Sequence, residues 1–199
     1  MKSGRPVFLV HEDDLGGAVM HRLIKEVRPQ LVVDRSIITH GNARLLSGVA
    51  KYAAASRAGI PHIVFTDLDR SNCAPGLLAE WSVPKLDGLM LFRIAVREVE
   101  AWLLADREGL AGFLAVHIAK VPVRPDDCSD PKEVLLNLVR RSRSGRLKRD
   151  MLPVIGSSAS IGPLYNEILG NFVHSLWDWE SAATRSPSLR KAVLRLGSF

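Results

Sequence analysis

The stretch "HIVFTDLD" at residues 62–69 joins a run of apolar and β-branched residues to two carboxylates, Asp67 and Asp69. A short apolar run of this kind predicts a buried strand. Side chains at positions i and i+2 of an extended chain point the same way, about 7 Å apart. Both carboxylates can therefore face one hard cation or a pair of them.

Three more stretches predict strands, namely "PVFLV" (6–10), "LVVDRSII" (31–38) and "GLMLFRIAV" (88–96). The segments between the strands place apolar residues at helical spacing, and Gly59 is a predicted helix stop. One long helix is predicted after the last strand, over "REVEAWLLADREGLAGFLA" (97–115). Strands that alternate with helices predict an α/β fold with a mainly parallel, four-stranded, Rossmann-like sheet flanked by helices.

The C-terminal part of the chain is predicted to be helical. One helix has Asp130 as its predicted N-cap and Pro131 at its first position, and later helices are expected to begin near Pro163 and Pro187. We therefore expect an α/β core over residues 1–116 and a helical extension over 117–199. The extension is predicted to pack on the core in one compact domain.

Composition limits the class of protein. A chain of 199 residues with 47% hydrophobic residues can bury about two-thirds of its unfolded surface in one globular domain. Cys73 and Cys128 show no paired or metal-type spacing, which fits a reducing cytoplasm. The apolar run near the N-terminus is too short for a signal peptide or a membrane span. A cytoplasmic location and no membrane partner are predicted.

The excess positive charge lies in the last third of the chain. Residues 140–199 hold ten basic and four acidic residues, whereas the preceding part is balanced. Most of the excess is in "RRSRSGRLKR", whose basic residues are Arg140, Arg141, Arg143, Arg146, Lys148 and Arg149. Such a run attracts phosphate backbones. A solvated loop that only aids solubility is the alternative.

Acidic residues follow three of the predicted strands. In parallel α/β sheets, ligands bind beyond the carboxyl ends of the strands, so these residues are expected to converge. The predicted metal ligands are Glu12, Asp14, Asp67, Asp69 and Glu98. Their oxygen atoms suit Mg²⁺ or Mn²⁺. In the alternative interpretation, Asp67 caps the next helix and Asp69 lies in solvent.

Glu98 and Glu100 differ by about 200° around a helix. We therefore expect only one of them to face the site if the turn is regular. The other is expected at the surface or paired with Arg97.

These residues carry a resemblance to known proteins. A Glu after the first strand, an Asp-x-Asp after the third and a Glu after the fourth resemble the Toprim arrangement of topoisomerases, primases and nucleases of the OLD (overcoming lysogenization defect) type. More narrowly, "VREVEAWLLADRE" (96–108), "DPKEVL" (130–135) and "SPSL" (186–189) resemble the bacterial family called domain of unknown function 4276 (DUF4276). This resemblance covers most of the chain.

The resemblance implies a Toprim-like fold and a metal-dependent nuclease, often encoded beside an AAA or OLD-like ATPase in phage-defence loci. The catalytic residues that it implies are Glu12, Asp67, Asp69 and Glu100. One departure concerns the metals. Toprim nucleases often carry an Asp four residues after the first Glu, where this chain has Gly16. The sequence therefore allows either one metal ion or two at the site.

The predicted reaction is Mg²⁺-dependent hydrolysis of a phosphodiester in DNA or RNA. Lys132 and the basic run over residues 140–149 are predicted to hold the nucleic-acid backbone and to offset its charge. His11, His40 and His62 fall near strand ends and are candidates for an assisting role, although their spacing is no zinc motif.

Other functions fit parts of the sequence. "LVHEDD" (9–14) resembles the start of a phosphoacceptor receiver module, but the next Asp lies too far along the chain and no Lys follows a fifth strand. "FTDLD" (65–69) resembles a haloacid-dehalogenase-type phosphatase motif, but Arg70 and Ser71 replace its Gly-Thr. A catalytically silent subunit that binds an ATPase, and a homodimer, also remain open.

Overall fold

A computed structural model describes residues 4–84 and 88–199. Its strands are β1 (Arg5–His11), β2 (Leu31–Ile38), β3 (His62–Asp67) and β4 (Met90–Ala95). All neighbouring strands pair in parallel, in the order β2-β1-β3-β4. The predicted α/β class and four-stranded parallel sheet are therefore confirmed.

The helices are α1 (Asp14–Val27), α2 (Asn42–Arg57), α3 (Ala74–Glu80), α4 (Val99–Ala105), α5 (Arg107–Leu114), α6 (Pro131–Arg140), α7 (Gly145–Met151), α8 (Tyr165–Ser175), α9 (Trp179–Arg185) and α10 (Pro187–Gly197). Two short 3-10 turns, Ile118–Lys120 and Pro125–Asp127, connect α5 to α6. As predicted, Asp130 caps α6 by accepting a hydrogen bond from the Glu133 N–H, with Pro131 at the first helical position.

Helices cover both faces of the sheet. On one face, α2 and α3 pack on side chains such as Val10, Val64 and Phe92. On the opposite face, the alternate strand residues, including Leu9 and Ile63, pack with α1 and the later helices. This alternation of neighbouring strand residues between faces is why the central strands read as nearly continuous apolar runs.

The long helix predicted over residues 97–115 is wrong, because the chain forms α4 and α5 with a break at Asp106. The ψ angle of Asp106 is 73°, which ends α4. Its carboxylate then caps α5 by accepting from the Gly109 N–H at 3.0 Å. The other carboxylate oxygen accepts from the Asp178 N–H at 3.0 Å, which ties the break to the start of α9.

The C-terminal helices share a core with the sheet. Buried residues of α6, α8, α9 and α10 belong to the same apolar cluster as Leu9 and Ile63. Trp102 on α4 lies within this cluster, and its indole N–H donates to the Ser188 hydroxyl on α10 at 2.6 Å. The division of the chain at residue 117 stays a prediction. Within residues 4–84 and 88–199, no helix combines the length and the hydropathy needed to cross a bilayer.

Candidate active site at the carboxyl edge of the sheet

The loop after β3 is bound to the loop after β4. One carboxylate oxygen of Asp67, Oδ1, accepts a hydrogen bond from the Val99 N–H at 3.0 Å. The N–H groups of Leu68 and Asp69 both donate to the Arg97 carbonyl, at 2.9 Å and 3.0 Å. The Arg97 guanidinium donates in return to the Asp69 carbonyl at 3.1 Å. The two loops therefore form one rigid edge that presents the Asp-Leu-Asp segment.

Glu12 reaches this edge from β1, which lies beside β3. Its Oε1 atom accepts hydrogen bonds from the buried Thr66 hydroxyl and from the Asp67 N–H. Burial raises the pKa of Glu12, and the nearby charge of Asp69 raises it further, against the lowering effect of the Thr66 hydrogen bond. The predicted approach of the acid after the first strand to Asp67 is thus present in the structure.

Glu98 and Glu100 both lie against the first turn of α6. Glu98 Oε2 accepts from the Lys132 N–H at 2.8 Å, and Glu100 Oε1 lies 3.7 Å from Lys132 Nζ. Glu100 is buried and Glu98 is half-buried, and neither forms an ion pair with Arg97 among the described residues, so both face the site, contrary to the expectation that only one would. The reason is that Glu98 is the N-cap of α4, with φ −133° and ψ 159°. The helical angle between the two positions therefore does not apply.

Glu100 is the most buried acid at this edge, with 1% relative exposure. Its Oε1 accepts a hydrogen bond from the Tyr165 hydroxyl on α8 at 3.0 Å. Its other oxygen, Oε2, is buried and has no hydrogen-bond partner among the described residues. Burial raises the pKa of Glu100 to about 7, although the Lys132 ammonium acts to lower it.

The residues Glu12, Asp67, Asp69, Glu98 and Glu100 are called the acidic cluster below. Burial raises the pKa of Asp67 well above its usual value, and the charges of the neighbouring carboxylates, Glu100 foremost, raise it further. Burial lowers the pKa of Lys132, but Glu100 and Glu98 more than reverse this effect and keep the ammonium charged. The carboxyl groups of the cluster with raised pKa values therefore hold their protons more tightly than free ones do, and the half-buried Lys132 ammonium offsets part of the remaining negative charge.

The donor set of the acidic cluster fits a hard divalent cation. It consists of carboxylate oxygens, one of them buried without a partner, and their mutual repulsion would be relieved by added positive charge. Within the described residues, however, no three His, Cys, Asp or Glu side chains are already arranged as a ligand set. A cation would therefore require side-chain rotations at this edge.

Of the two aspartates that follow Glu12, the one predicted as a metal ligand lies away from the acidic cluster. Asp14, a predicted metal ligand, is exposed in the first turn of α1. Asp13 caps that helix by accepting from the Gly16 N–H at 2.8 Å, and its charge acts on Asp67 and Glu100. Both aspartates have a glycine three residues on, Gly16 and Gly17, so this capping pattern does not separate them in the sequence.

An open cleft of about 760 Å³ adjoins the acidic cluster. Asp69 and Glu98 contribute carboxylates to its wall, and Arg97 contributes a guanidinium. Asn42, at the start of α2, also lines the cleft and donates from Nδ2 to Asp69 Oδ2 at 3.3 Å. Asn42 has no signal among the acidic residues of the sequence, because it follows β2, the one strand without acidic residues directly after it.

The predicted nucleic-acid-binding residues fall in two places. Lys132 lies in the acidic cluster, as described above. The others surround the end of α6 and α7, so the basic run is largely helical and not a loop; these residues are Arg140, Arg141, Arg143, Arg146, Lys148 and Arg149. Their distance from Lys132 begins at about 12 Å, the rise of eight residues of α6.

The three candidate histidines do not hydrogen-bond to a carboxylate of the acidic cluster. The imidazole of His11 interacts with the Asp13 carbonyl at 2.7 Å and with the Ser36 hydroxyl at 2.8 Å. His62 is buried beside the Ile60 carbonyl. His40 is exposed in a left-handed backbone conformation, with φ 54°.

Two solved structures align with this chain over nearly the full length of both proteins. The C-terminal region of the Burkholderia pseudomallei OLD protein aligns over 96% of this chain and 98% of its own, with 16% identity and a TM-score of 0.40. The C-terminal region of the Xanthomonas campestris pv. campestris OLD protein aligns over 92% and 98%, with 15% identity and a TM-score of 0.37. No protein-family model and no curated protein matches the chain.

Proposed function

We propose that this protein is a Mg²⁺-dependent nuclease of the Toprim type that hydrolyses phosphodiester bonds. The supporting observation is that carboxylates following three adjacent strands meet around Asp67 at the carboxyl edge of the sheet. Self-repulsion among half-buried carboxylates has a cost in stability. Charge of this kind, kept at a ligand-binding edge, is typical of a functional site.

The proposed metal ligands are Asp67, Asp69 and Glu12. A bound Mg²⁺ ion would polarise the phosphodiester and activate water for attack. The main-chain hydrogen bonds that fix the loops after β3 and β4 hold the Asp-Leu-Asp segment in place. The Thr66 hydroxyl fixes one oxygen of Glu12 and leaves the other, Oε2, for a ligand.

Lys132 is proposed to stabilise the negative charge that develops on the substrate, and Glu100 is proposed to transfer a proton. The Lys132 ammonium, half-buried at the N-terminal turn of α6, can donate hydrogen bonds to a phosphoryl oxygen as negative charge develops. Glu100 has a pKa of about 7, which suits a group that accepts and returns a proton near neutral pH. The open cleft beside Asp69 is the proposed entry for the substrate backbone.

The proposed substrate follows from the basic residues, and the proposed partners follow mainly from the resemblance to known families. The basic residues of α6 and α7 support a nucleic acid, DNA or RNA, as substrate. The resemblance to DUF4276 and OLD-type proteins supports an AAA or OLD-like ATPase partner and a role in phage defence. The unpaired spacing of Cys73 and Cys128 supports a cytoplasmic location, and a homodimer is part of the proposal.

A second candidate is a catalytically silent subunit. It is favoured by Lys132, whose ammonium lies within the acidic cluster, 3.7 Å from Glu100 Oε1. A built-in cation of this kind can offset part of the negative charge without a metal. Such a subunit would contribute binding surface, and not chemistry, to an ATPase complex.

The two candidates differ in whether the isolated chain cleaves nucleic acid. Single-stranded and duplex DNA and RNA are incubated with the purified protein and Mg²⁺ or Mn²⁺, and products are separated on gels. We expect cleavage by the wild type and by the control Asp34→Asn, which changes an exposed acid on β2. Asp67→Asn is expected to abolish cleavage. Equal cleavage by Asp67→Asn would contradict the proposal, and no cleavage by any variant would favour the silent subunit.

A further inference from the structure

A closed loop follows the basic helix α7. At its base, the Gly162 N–H donates to the Met151 carbonyl at 2.8 Å, and the Leu164 N–H donates to the Asp150 carbonyl at 3.0 Å. A Cβ atom at Gly162 would lie 2.5 Å from the Met151 carbonyl carbon, so this close approach requires glycine. Residues 152–161 thus form a compact loop whose ends are held together, as in Ω-loops.

A tight turn at the far end of this loop exposes aliphatic side chains. The Ser157 N–H donates to the Val154 carbonyl at 3.0 Å, and Gly156, third in the turn, has φ +83°. A positive φ at that position is typical of a type II turn. Ile155 therefore occupies the projecting second position, with 101% relative exposure, and Val154 beside it is 66% exposed.

Basic side chains surround the start of this loop. Residues 140–150 contain six basic residues and one acid, Asp150. The side chains of Arg146 and Arg149 are 80% and 73% exposed although both contact Asp150. Arg141 and Arg143 are exposed as well. We call residues 140–157 the basic arm.

Both ends of the basic arm are connected to the acidic cluster. On the N-terminal side, α6 runs directly from Lys132 to Arg140. On the C-terminal side, the loop leads into α8, whose first residue, Tyr165, hydrogen-bonds to Glu100. The first residue of the arm, Arg140, lies about 12 Å from Lys132 along α6, which a polyanion several base pairs long can span.

We propose that the basic arm binds duplex nucleic acid, with its arginines on the phosphates and Ile155 inserted between stacked bases. This inference rests on the proposed nuclease function and specifies how the substrate is held. Aliphatic wedges flanked by basic residues unstack base steps and kink the duplex, while phosphate contacts fix position. The exposed arginines of the arm match the phosphates of a duplex, and the projecting Ile155 matches its stacked bases. A membrane surface is disfavoured, because interfacial segments carry a broad apolar face with aromatic residues.

Base unstacking provides a direct test. Short duplex DNA carrying the fluorescent base analogue 2-aminopurine is titrated with full-length protein in a chelator, so that binding is measured without cleavage. Unstacking raises the fluorescence. We expect a rise with the wild type, loss of the rise with Ile155→Ser, and about tenfold weaker binding of that variant because one aliphatic side chain is no longer buried.

Two further variants distinguish the effect of inserting Ile155 from the effect of the basic charges and from the effect of any exposed aliphatic residue. Arg146→Gln/Arg149→Gln is expected to weaken binding and to reduce the slope of log affinity against log salt by about two. Ile155→Ser should leave that slope unchanged. Leu194→Ser is the matched control, because Leu194 on α10 is 67% exposed and lies outside the arm; it should bind and unstack like the wild type.

The inference is overturned if Ile155→Ser unstacks the duplex as well as the wild type does. It is also overturned if the wild type binds phosphatidylserine vesicles and not duplex DNA. Asp67→Asn distinguishes this inference from the proposed function, since it should retain the fluorescence rise while losing cleavage. If Asp67→Asn cleaves normally, the proposed catalytic site is wrong, whereas the fluorescence result still decides the role of Ile155.

Discussion

The ammonium nitrogen of Lys132 lies 3.7 Å from Glu100 Oε1, although the two residues belong to different parts of the chain. Glu100 follows β4 of the sheet, and Lys132 is the second residue of α6. The same oxygen of Glu100 accepts a hydrogen bond from the Tyr165 hydroxyl on α8. Helices α6 and α8 therefore both supply polar contacts to the most buried acid of the cluster.

Replacing Lys132 by methionine should abolish cleavage in the nuclease proposal. The variant removes the one ammonium from the acidic cluster and keeps most of the aliphatic stem. Because that ammonium lowers the pKa of Glu100, we expect Glu100 in the variant to be protonated at neutral pH. Gel-based cleavage assays measure the loss. Lys191→Met, at an exposed position on α10, is the control, and cleavage by Lys132→Met at the rate of this control would contradict the proposed role.

Glu100 should make the metal-free protein less stable as pH rises. Its pKa rises from 4.5 to about 7 in the folded state, so between these values the folded protein holds a proton that the unfolded chain has released. The free energy of unfolding therefore falls across this window, by on the order of 3 kcal/mol from this group. Asp67 acts in the same direction.

Urea unfolding at several pH values, in the presence of a chelator, tests this dependence. Glu100→Gln keeps a hydrogen-bond acceptor for Tyr165 but does not titrate. Its free energy of unfolding should exceed that of the wild type by an increasing amount from pH 5 to about 7. Glu167→Gln, at an exposed position on α8, should follow the wild type. A difference between wild type and Glu100→Gln that stays constant with pH would rule out the raised pKa.

Tyr165→Phe should destabilise the protein more at pH 8 than at pH 5. At the higher pH, ionised Glu100 loses its hydroxyl donor, and a hydrogen bond to a charged group contributes about 1.5–3 kcal/mol. At the lower pH, the protonated carboxyl loses a weaker hydrogen bond. Tyr52→Phe is the matched control, since the Tyr52 ring packs beside His62 and its hydroxyl has no hydrogen-bond partner in residues 4–84 and 88–199. Equal losses at both pH values would contradict this account.

Much of the sheet could be predicted from local pattern. "HIVFTD" forms β3 because a buried strand carries a continuous apolar run, and "LVVDRSII" forms the edge strand β2 with the predicted bounds because it is rich in β-branched residues. The break at Asp106 was missed. The Asp106 carboxylate caps α5 locally through the Gly109 N–H and also accepts from the Asp178 N–H, 72 residues away, and apolar periodicity contains neither contact.

The contacts between residues at the ends of the strands could be predicted from the sequence. The contacts that the C-terminal helices make with these residues could not. Asp67 and Glu12 meet because parallel neighbouring strands end at one edge, and sequence order alone indicates this. Tyr165 was missed because its contact with Glu100 is set by helix packing, with no local motif. Asp14 was preferred over Asp13 because both follow the same strand, and only the capping geometry distinguishes them.

The most direct test of the central claim is calorimetric titration of Mg²⁺ into the protein at pH 7. We predict binding at millimolar concentrations with release of protons, since carboxyl groups with raised pKa values must ionise to bind a cation. The observed heat should therefore vary with the ionisation enthalpy of the buffer. Asp67→Asn/Asp69→Asn should bind no Mg²⁺, whereas Asp34→Asn should bind like the wild type. Binding by the double variant equal to that of the wild type, or no binding by the wild type, would contradict the metal site.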